Sequence, residues 1–135
     1  MKRSIFVLLL CFCLVFAISC GSEDGSVNSA ALDEGVVKSI EVSSMPHGYE
    51  YSFEGNDAHA VIDYIRGLHL EADFSEDPDV YTGMTWVVDI RYEDGTDTTV
   101  YMFGNMFIRK DNENWLKMDY NEAVAFEELL ENLDK

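Results

Sequence analysis

The feature that most limits what this chain can become is the stretch from Thr85 to Phe103. Trp86, Val88, Ile90 and Tyr92 alternate with Val87, Asp89 and Arg91, the period of two expected of a strand with one buried face. Asp94-Gly95 supplies the residues that a tight hairpin turn needs. Folding the chain about those two residues sets Trp86 opposite Phe103, Val88 opposite Tyr101 and Ile90 opposite Thr99, all on one face. A three-residue turn that pairs Val88 with Met102 and Ile90 with Val100 is the alternative. The choice matters because a slip of one residue exchanges the two faces of a strand.

Around this hairpin the pattern continues. Val37, Ile40 and Val42 begin a first strand, Met45 to Gly48 makes a turn with Pro46, and Tyr49, Tyr51 and Phe53 alternate as a second strand. Glu54-Gly55-Asn56 breaks that strand and offers Asn56 or Asp57 as a helix N-cap. Ala58, Val61, Ile62, Ile65 and Leu68 then form one apolar stripe on a helix of about ten to thirteen residues that ends near Gly67. Glu71 to Gly83, with Pro78 and five acids, reads as a long loop. Gly104-Asn105 turns the chain into a strand at Met106 to Ile108, and Asp111 to Asn114 turns it again into Trp115 to Met118. Asp119 with Glu122 has the spacing of a capping box, and Ala123, Phe126, Leu129, Leu130 and Leu133 stripe a terminal helix. The expected fold is α+β: an antiparallel sheet of about five or six strands, an N-terminal hairpin plus a C-terminal meander, with two amphipathic helices packed on one face. Residues 36–135 are expected to form this single domain, since about 100 residues bury one modest core.

Before it, Lys2 and Arg3 precede an uncharged apolar run from Ile5 to Ile18. That run is shorter than the roughly 20 residues of a membrane span and has a signal-peptide layout. It closes on Phe16-Ala17-Ile18-Ser19-Cys20. Ala17 and Ser19 would also satisfy an ordinary secretory cleavage site, but the cysteine directly after Ser19 favours another reading. The pattern resembles the lipobox of bacterial lipoproteins, with Ala17 where Leu is commoner. The resemblance implies that residues 1–19 are a cleaved leader and that Cys20 carries a thioether-linked diacylglycerol, with room for a third acyl chain such as palmitate on its amine. Two or more chains hold a protein stably on a membrane. The protein is thus expected in the cell envelope, anchored on the extracytoplasmic side. Gly21 is not the Asp that retains such proteins at an inner membrane. Residues 20–35, rich in Gly, Ser, Glu and Asp, read as the acylated cysteine and a flexible acidic tether.

The chain has 26 acids against 9 Lys and Arg, a formal charge of −17 that becomes −19 once the leader takes Lys2 and Arg3 away. A surface of that sign, with no basic cluster, repels phosphates, so a nucleic-acid partner is not expected. Of three cysteines, Cys11 and Cys13 lie in the leader, which leaves Cys20 and neither a disulfide nor a thiolate zinc site. His47, His59 and His69 are scattered and read as single surface histidines. The acidic loop residues Asp73, Glu76, Asp77 and Asp79 are the candidate cation site. They miss EF-hand spacing, because Pro78 falls where Gly is needed when Asp73 is counted first. Tyr49, Tyr51, Tyr81, Tyr92 and Tyr120 read either as half-buried strand residues or as an exposed binding platform. There is no Gly-x-Ser-x-Gly elbow and no Gly-rich phosphate loop, and the domain is small for a deep cleft. Neither an enzyme nor a cofactor is expected. The leading functional expectation is a module that binds an envelope protein or peptide; the alternative is a cation or small-ligand binder that uses the loop 73–79.

Overall fold

Seven strands make one antiparallel sheet among residues 32–135, which are the residues described by the computed structural model of this chain; Cys20, the leader and most of the expected tether lie outside them. The strands are β1 (Val37–Met45), β2 (Glu50–Glu54), β3 (Leu70–Glu71), β4 (Thr85–Tyr92), β5 (Asp97–Phe103), β6 (Phe107–Lys110) and β7 (Leu116–Met118), in the order β2-β1-β4-β5-β6-β7-β3. Two helices complete the fold, α1 (Gly55–Arg66) and α2 (Tyr120–Leu133). The expected α+β class is correct and the strand count is low by one. The addition is β3, two residues that pair Leu70 with Met118 and Glu71 with Lys117 at the far edge. A strand that short shows no alternation, so no local pattern announces it.

The order of strands gives α1 its task. It follows β2 at one edge and delivers the chain to β3 at the other, so it must cross a face of the sheet. Ala58, Val61, Ile62 and Ile65 are fully buried beneath it, with Leu68 close behind. The helix starts at Gly55, directly after β2, and its N-cap position is Glu54 with no side-chain hydrogen bond. The expected caps Asn56 and Asp57 therefore lie inside the first turn, where the Asp57 carboxylate faces the positive end of the helix dipole. Helix α2 covers the same face. Its Phe126 ring meets Tyr64 of α1 at 5.9 Å and Trp86 of β4 at 6.1 Å. Together with Ile40, Val42, Val88, Ile90, Val100 and Ile108 these side chains make the main core.

The central hairpin adopts neither expected register. Trp86 stands opposite Met102, Val88 opposite Val100 and Ile90 opposite Thr98. The loop is Glu93-Asp94-Gly95, closed by Tyr92 N–H donating to the Thr96 carbonyl at 2.9 Å and Gly95 N–H donating to the Tyr92 carbonyl at 3.1 Å. Gly95 has φ +87°, the left-handed residue that ends a three-residue hairpin loop. Asp94 also fixes the turn from its side chain, accepting from Thr96 N–H at 2.9 Å and from the Thr96 hydroxyl at 2.7 Å. One residue of difference moves Thr99, Tyr101 and Phe103 from the helix-covered face to the opposite one.

That opposite face has a small core of its own. Phe107, fully buried yet outside the main cluster, is ringed by Phe74 at 5.5 Å, Tyr81 at 5.5 Å, Trp115 at 6.4 Å and Phe103 at 6.5 Å between centroids. Phe74 and Tyr81 belong to the long loop after β3, which closes over the face like a clasp. Gly83 lets it descend: a Cβ there would lie 3.0 Å from the Gly104 Cα. Beside this cluster the Arg109 guanidinium sits 4.5 Å from the Trp115 ring centre and 5.1 Å from that of Tyr101, a cation between two π faces.

Packing also reaches into the residues read as tether. Leu32 is buried in the main core, the Asp33 carboxylate accepts from the Thr98 hydroxyl at 3.2 Å, and Arg66 donates to the Asp33 carbonyl at 2.9 Å. The chain is thus held from Leu32, four residues before the Val36 boundary.

Phe107→Ala should lower unfolding stability by about 3–5 kcal/mol, the range for deleting a buried aromatic ring. Urea unfolding measures it, and a loss below about 1 kcal/mol would show that the second core contributes little.

Candidate functional site

The acidic loop was the first candidate, and its side chains diverge. Glu76 bends back to Lys117 of β7 in a 2.5 Å ion pair, which holds the Glu76 carboxyl below and the Lys117 amine above their ordinary values. Asp77 accepts from the N–H of Asp79 at 3.0 Å and so caps the short 3-10 turn Pro78–Val80. Asp73 and Asp79 are exposed. Among the described residues no three His, Cys, Asp or Glu side chains stand close enough to hold a metal ion. The loop's visible work is to bring Phe74 and Tyr81 onto Phe107.

A groove of about 570 Å³ lies at the β3 edge, between Leu70, the β5–β6 turn at Gly104 to Met106, Met118 and Tyr120. Its rim is charged: His69, Glu71, Lys117 and Asp119 all line it. The best-organised rim contact is His69 with Glu122, the third residue of α2. One Glu122 oxygen meets His69 Nδ1 at 2.5 Å and the other accepts from the His69 backbone N–H at 2.7 Å. The expected capping box is therefore half made. Asp119 does accept from the N–H groups of Asn121 and Glu122, at 2.9 and 3.1 Å, but Glu122 does not return to Asp119. It ties the segment before β3 to the start of α2 instead, and His69 is not the solitary surface residue expected. His47 and His59 are exposed.

The tyrosines do not form a platform. Tyr92 is buried, Tyr51 is half-buried, and the more exposed Tyr49, Tyr81 and Tyr120 stand against Trp86, against Phe107 and on the β3-edge groove respectively. Sequence reasoning missed the Arg109 site and the Phe107 cluster. The signal was present in the period of Tyr101 and Phe103, but the register assigned it to the wrong face.

The third candidate is the opposite edge. Strand β2 is hydrogen-bonded to β1 alone, from Ser43 with Glu50 to Ser39 with Glu54, and its other side has no strand partner among the described residues. Glu50, Ser52 and Glu54 are exposed there, while Phe53 is buried and Tyr51 half-buried. Met45 and Tyr49, both about half exposed, flank the turn that feeds it. Ser44, buried near the end of β1, accepts from the Tyr49 N–H at 3.0 Å through its hydroxyl and donates its own N–H to the Tyr49 carbonyl at 2.9 Å. The edge is thereby held in register by its neighbour. No family model, curated protein or solved structure matches the chain.

Hydrogen bonding to Glu122, with its charge second, raises the His69 imidazole above its ordinary value. A group whose folded value is raised contributes stability that is complete below the unfolded value, about 6.5, and fades as pH climbs through the folded one. His69→Gln should therefore narrow the difference in melting temperature between pH 5.5 and pH 8. In parallel, the His69 ring resonances of the unmodified protein should titrate above pH 6.5 and fall back toward it in Glu122→Gln. A titration that is the same in both proteins would remove the pair.

Proposed function

We propose that this protein is a lipoprotein anchored through Cys20 on the extracytoplasmic side of a membrane, and that its domain is a non-enzymatic module that binds a protein or peptide. The observation that carries the binding half is the one-sided pairing of β2. Free N–H and C=O groups along a preformed strand are the template on which extended segments are captured by strand addition. The opposite edge offers no equivalent, because β3 is two residues long.

Geometry supports the orientation this requires. The described chain begins at Leu32, near the Val37 end of β1, and the nine residues of β1 carry it roughly 30 Å to Met45. Met45, Tyr49 and the first residue of β2 therefore lie at the end of the domain away from Leu32, the described residue nearest in sequence to the proposed anchor.

Metabolic labelling with palmitate and intact-mass measurement test the anchor. The unmodified protein should incorporate label and lose residues 1–19, whereas Cys20→Ser should incorporate none, whether or not ordinary secretory cleavage after Ser19 still removes its leader. A wild-type protein that is unlabelled would sink the lipoprotein reading. For the binding half, a photo-crosslinking residue at Ser52 should give a discrete adduct in intact cells and one at Glu128, on the outer side of α2, should not.

A further inference from the structure

The partner's chemistry can be read from the β2 edge. We infer that this edge accepts an extended basic segment, added antiparallel to β2, with Lys or Arg at two positions four residues apart that face Glu50 and Glu54. The inference rests on the binding reading above and specifies its site and partner class.

The residues on the open side of β2 are Glu50, Ser52 and Glu54, and neighbouring Glu41 on β1 is directly opposite Ser52 on the same face. None of the three glutamates makes an ion pair with a described residue. The other side of the strand is acidic as well. Tyr51 points toward α2, and its hydroxyl is held above the ordinary phenol value, first by burial and then by the charges of Glu131, Asp134 and Glu127. A strand laid along β2 would thus meet negative charge from both faces, whichever way its side chains alternate.

A second copy of this chain fits badly. Antiparallel pairing of two β2 strands over their full length is centred on Ser52, which sets Glu50 of each copy against Glu54 of the other. Like charges directly opposite across a strand pair are destabilising, and opposite charges there are favourable. Edge strands are commonly guarded by charge. Here the guard rejects one class of strand and leaves another welcome, which is how specificity arises from a repulsive element. The middle position of the incoming strand faces Ser52 and suits Ser or Thr. Its end near Glu50 meets the exposed Tyr49 and Met45, where an apolar side chain would pack.

The test uses the protein expressed from its full-length gene and a fluorescent heptapeptide in which Lys occupies two positions four apart, with Thr and Val between. Anisotropy should show binding that is about tenfold weaker for Glu50→Lys/Glu54→Lys, the sum expected of two cross-strand charge pairs. Hydrogen exchange should slow at residues 50–54 when the peptide is present. An otherwise identical peptide N-methylated at alternate backbone nitrogens keeps its charge and should lose binding, and one with Glu in place of Lys should not bind. Equal affinity for the N-methylated peptide would overturn strand addition and leave only attraction to an acidic surface. Equal affinity for the Glu peptide would overturn the basic partner while leaving peptide binding itself intact. Failure of every peptide, with β2 amides already protected in the free protein, would show the edge to be occupied by a second copy or by residues 20–31, and light scattering separates those two.

Discussion

The turn at Glu93-Asp94-Gly95 is the constraint on which the rest of this fold depends. Its three-residue loop, with Gly95 in the left-handed region, fixes which residue of β5 faces which residue of β4. Because side chains alternate, that single choice distributes every later residue between two faces. Val100 and Met102 go under the helices with Trp86 and Val88. Tyr101 and Phe103 go to the other side, where β6 adds Phe107 opposite Phe103 and Arg109 opposite Tyr101. The aromatic clasp formed by the loop after β3 is a downstream consequence: Phe74 and Tyr81 have somewhere to dock only because the hairpin exposes that surface. Thr98, directed inward by the same register, becomes the hydroxyl that binds Asp33 and draws the start of the domain onto the core.

Much of the architecture was legible because it is local. Apolar stripes at helical spacing on α1 and α2 needed only the sequence of each helix, and Ala58, Val61, Ile62, Ile65, Ala123, Phe126 and Leu130 are all buried as their spacing implies. Six strands carried period-two patterns or clear turn residues. What could not be read depends on partners distant in sequence. Leu70 and Glu71 form a strand only because Met118 and Lys117 are there to pair with them. Glu122 has the spacing of a capping box, yet it is taken by His69, 53 positions earlier. The acidic loop read as a long loop and a candidate cation site because five acids dominate its composition, while its two aromatic residues decide its position. The hairpin register turned on whether Asp94-Gly95 forms a two-residue loop or closes a three-residue one, and local propensity supports both.

Charge is distributed with the same economy. With 26 acids and 9 bases in the chain, few cations are available for cross-links, and several do structural work. Lys117 holds the clasp through Glu76, Arg66 reaches the backbone at Asp33, and Arg109 lies between two rings. The surplus of carboxylates stays in water, where each is cheap to keep ionised. The cost falls on the compact state as a whole, through mutual repulsion, and a small domain without disulfides must offset it by burial. Two separate cores, one on each side of a single sheet, raise the buried area that about 100 residues supply.

The two edges of the sheet end in different ways, and the difference is physical. At the β3 end the last strand is two residues long and the chain around it is stapled by Glu122 and by Lys117, so little backbone is left to pair. At the β2 end five residues stand in extended form with one side unpaired among the described residues. An unprotected strand of that kind is a route to aggregation, and a charged guard is the usual remedy. Lysine would serve against self-association equally well, since the repulsion between copies does not depend on sign. Glutamate differs only toward other molecules: it extends the acidic field of the domain along an edge with no second strand partner among the described residues, and under the strand-addition proposal the sign of the guard selects which foreign strands are tolerated.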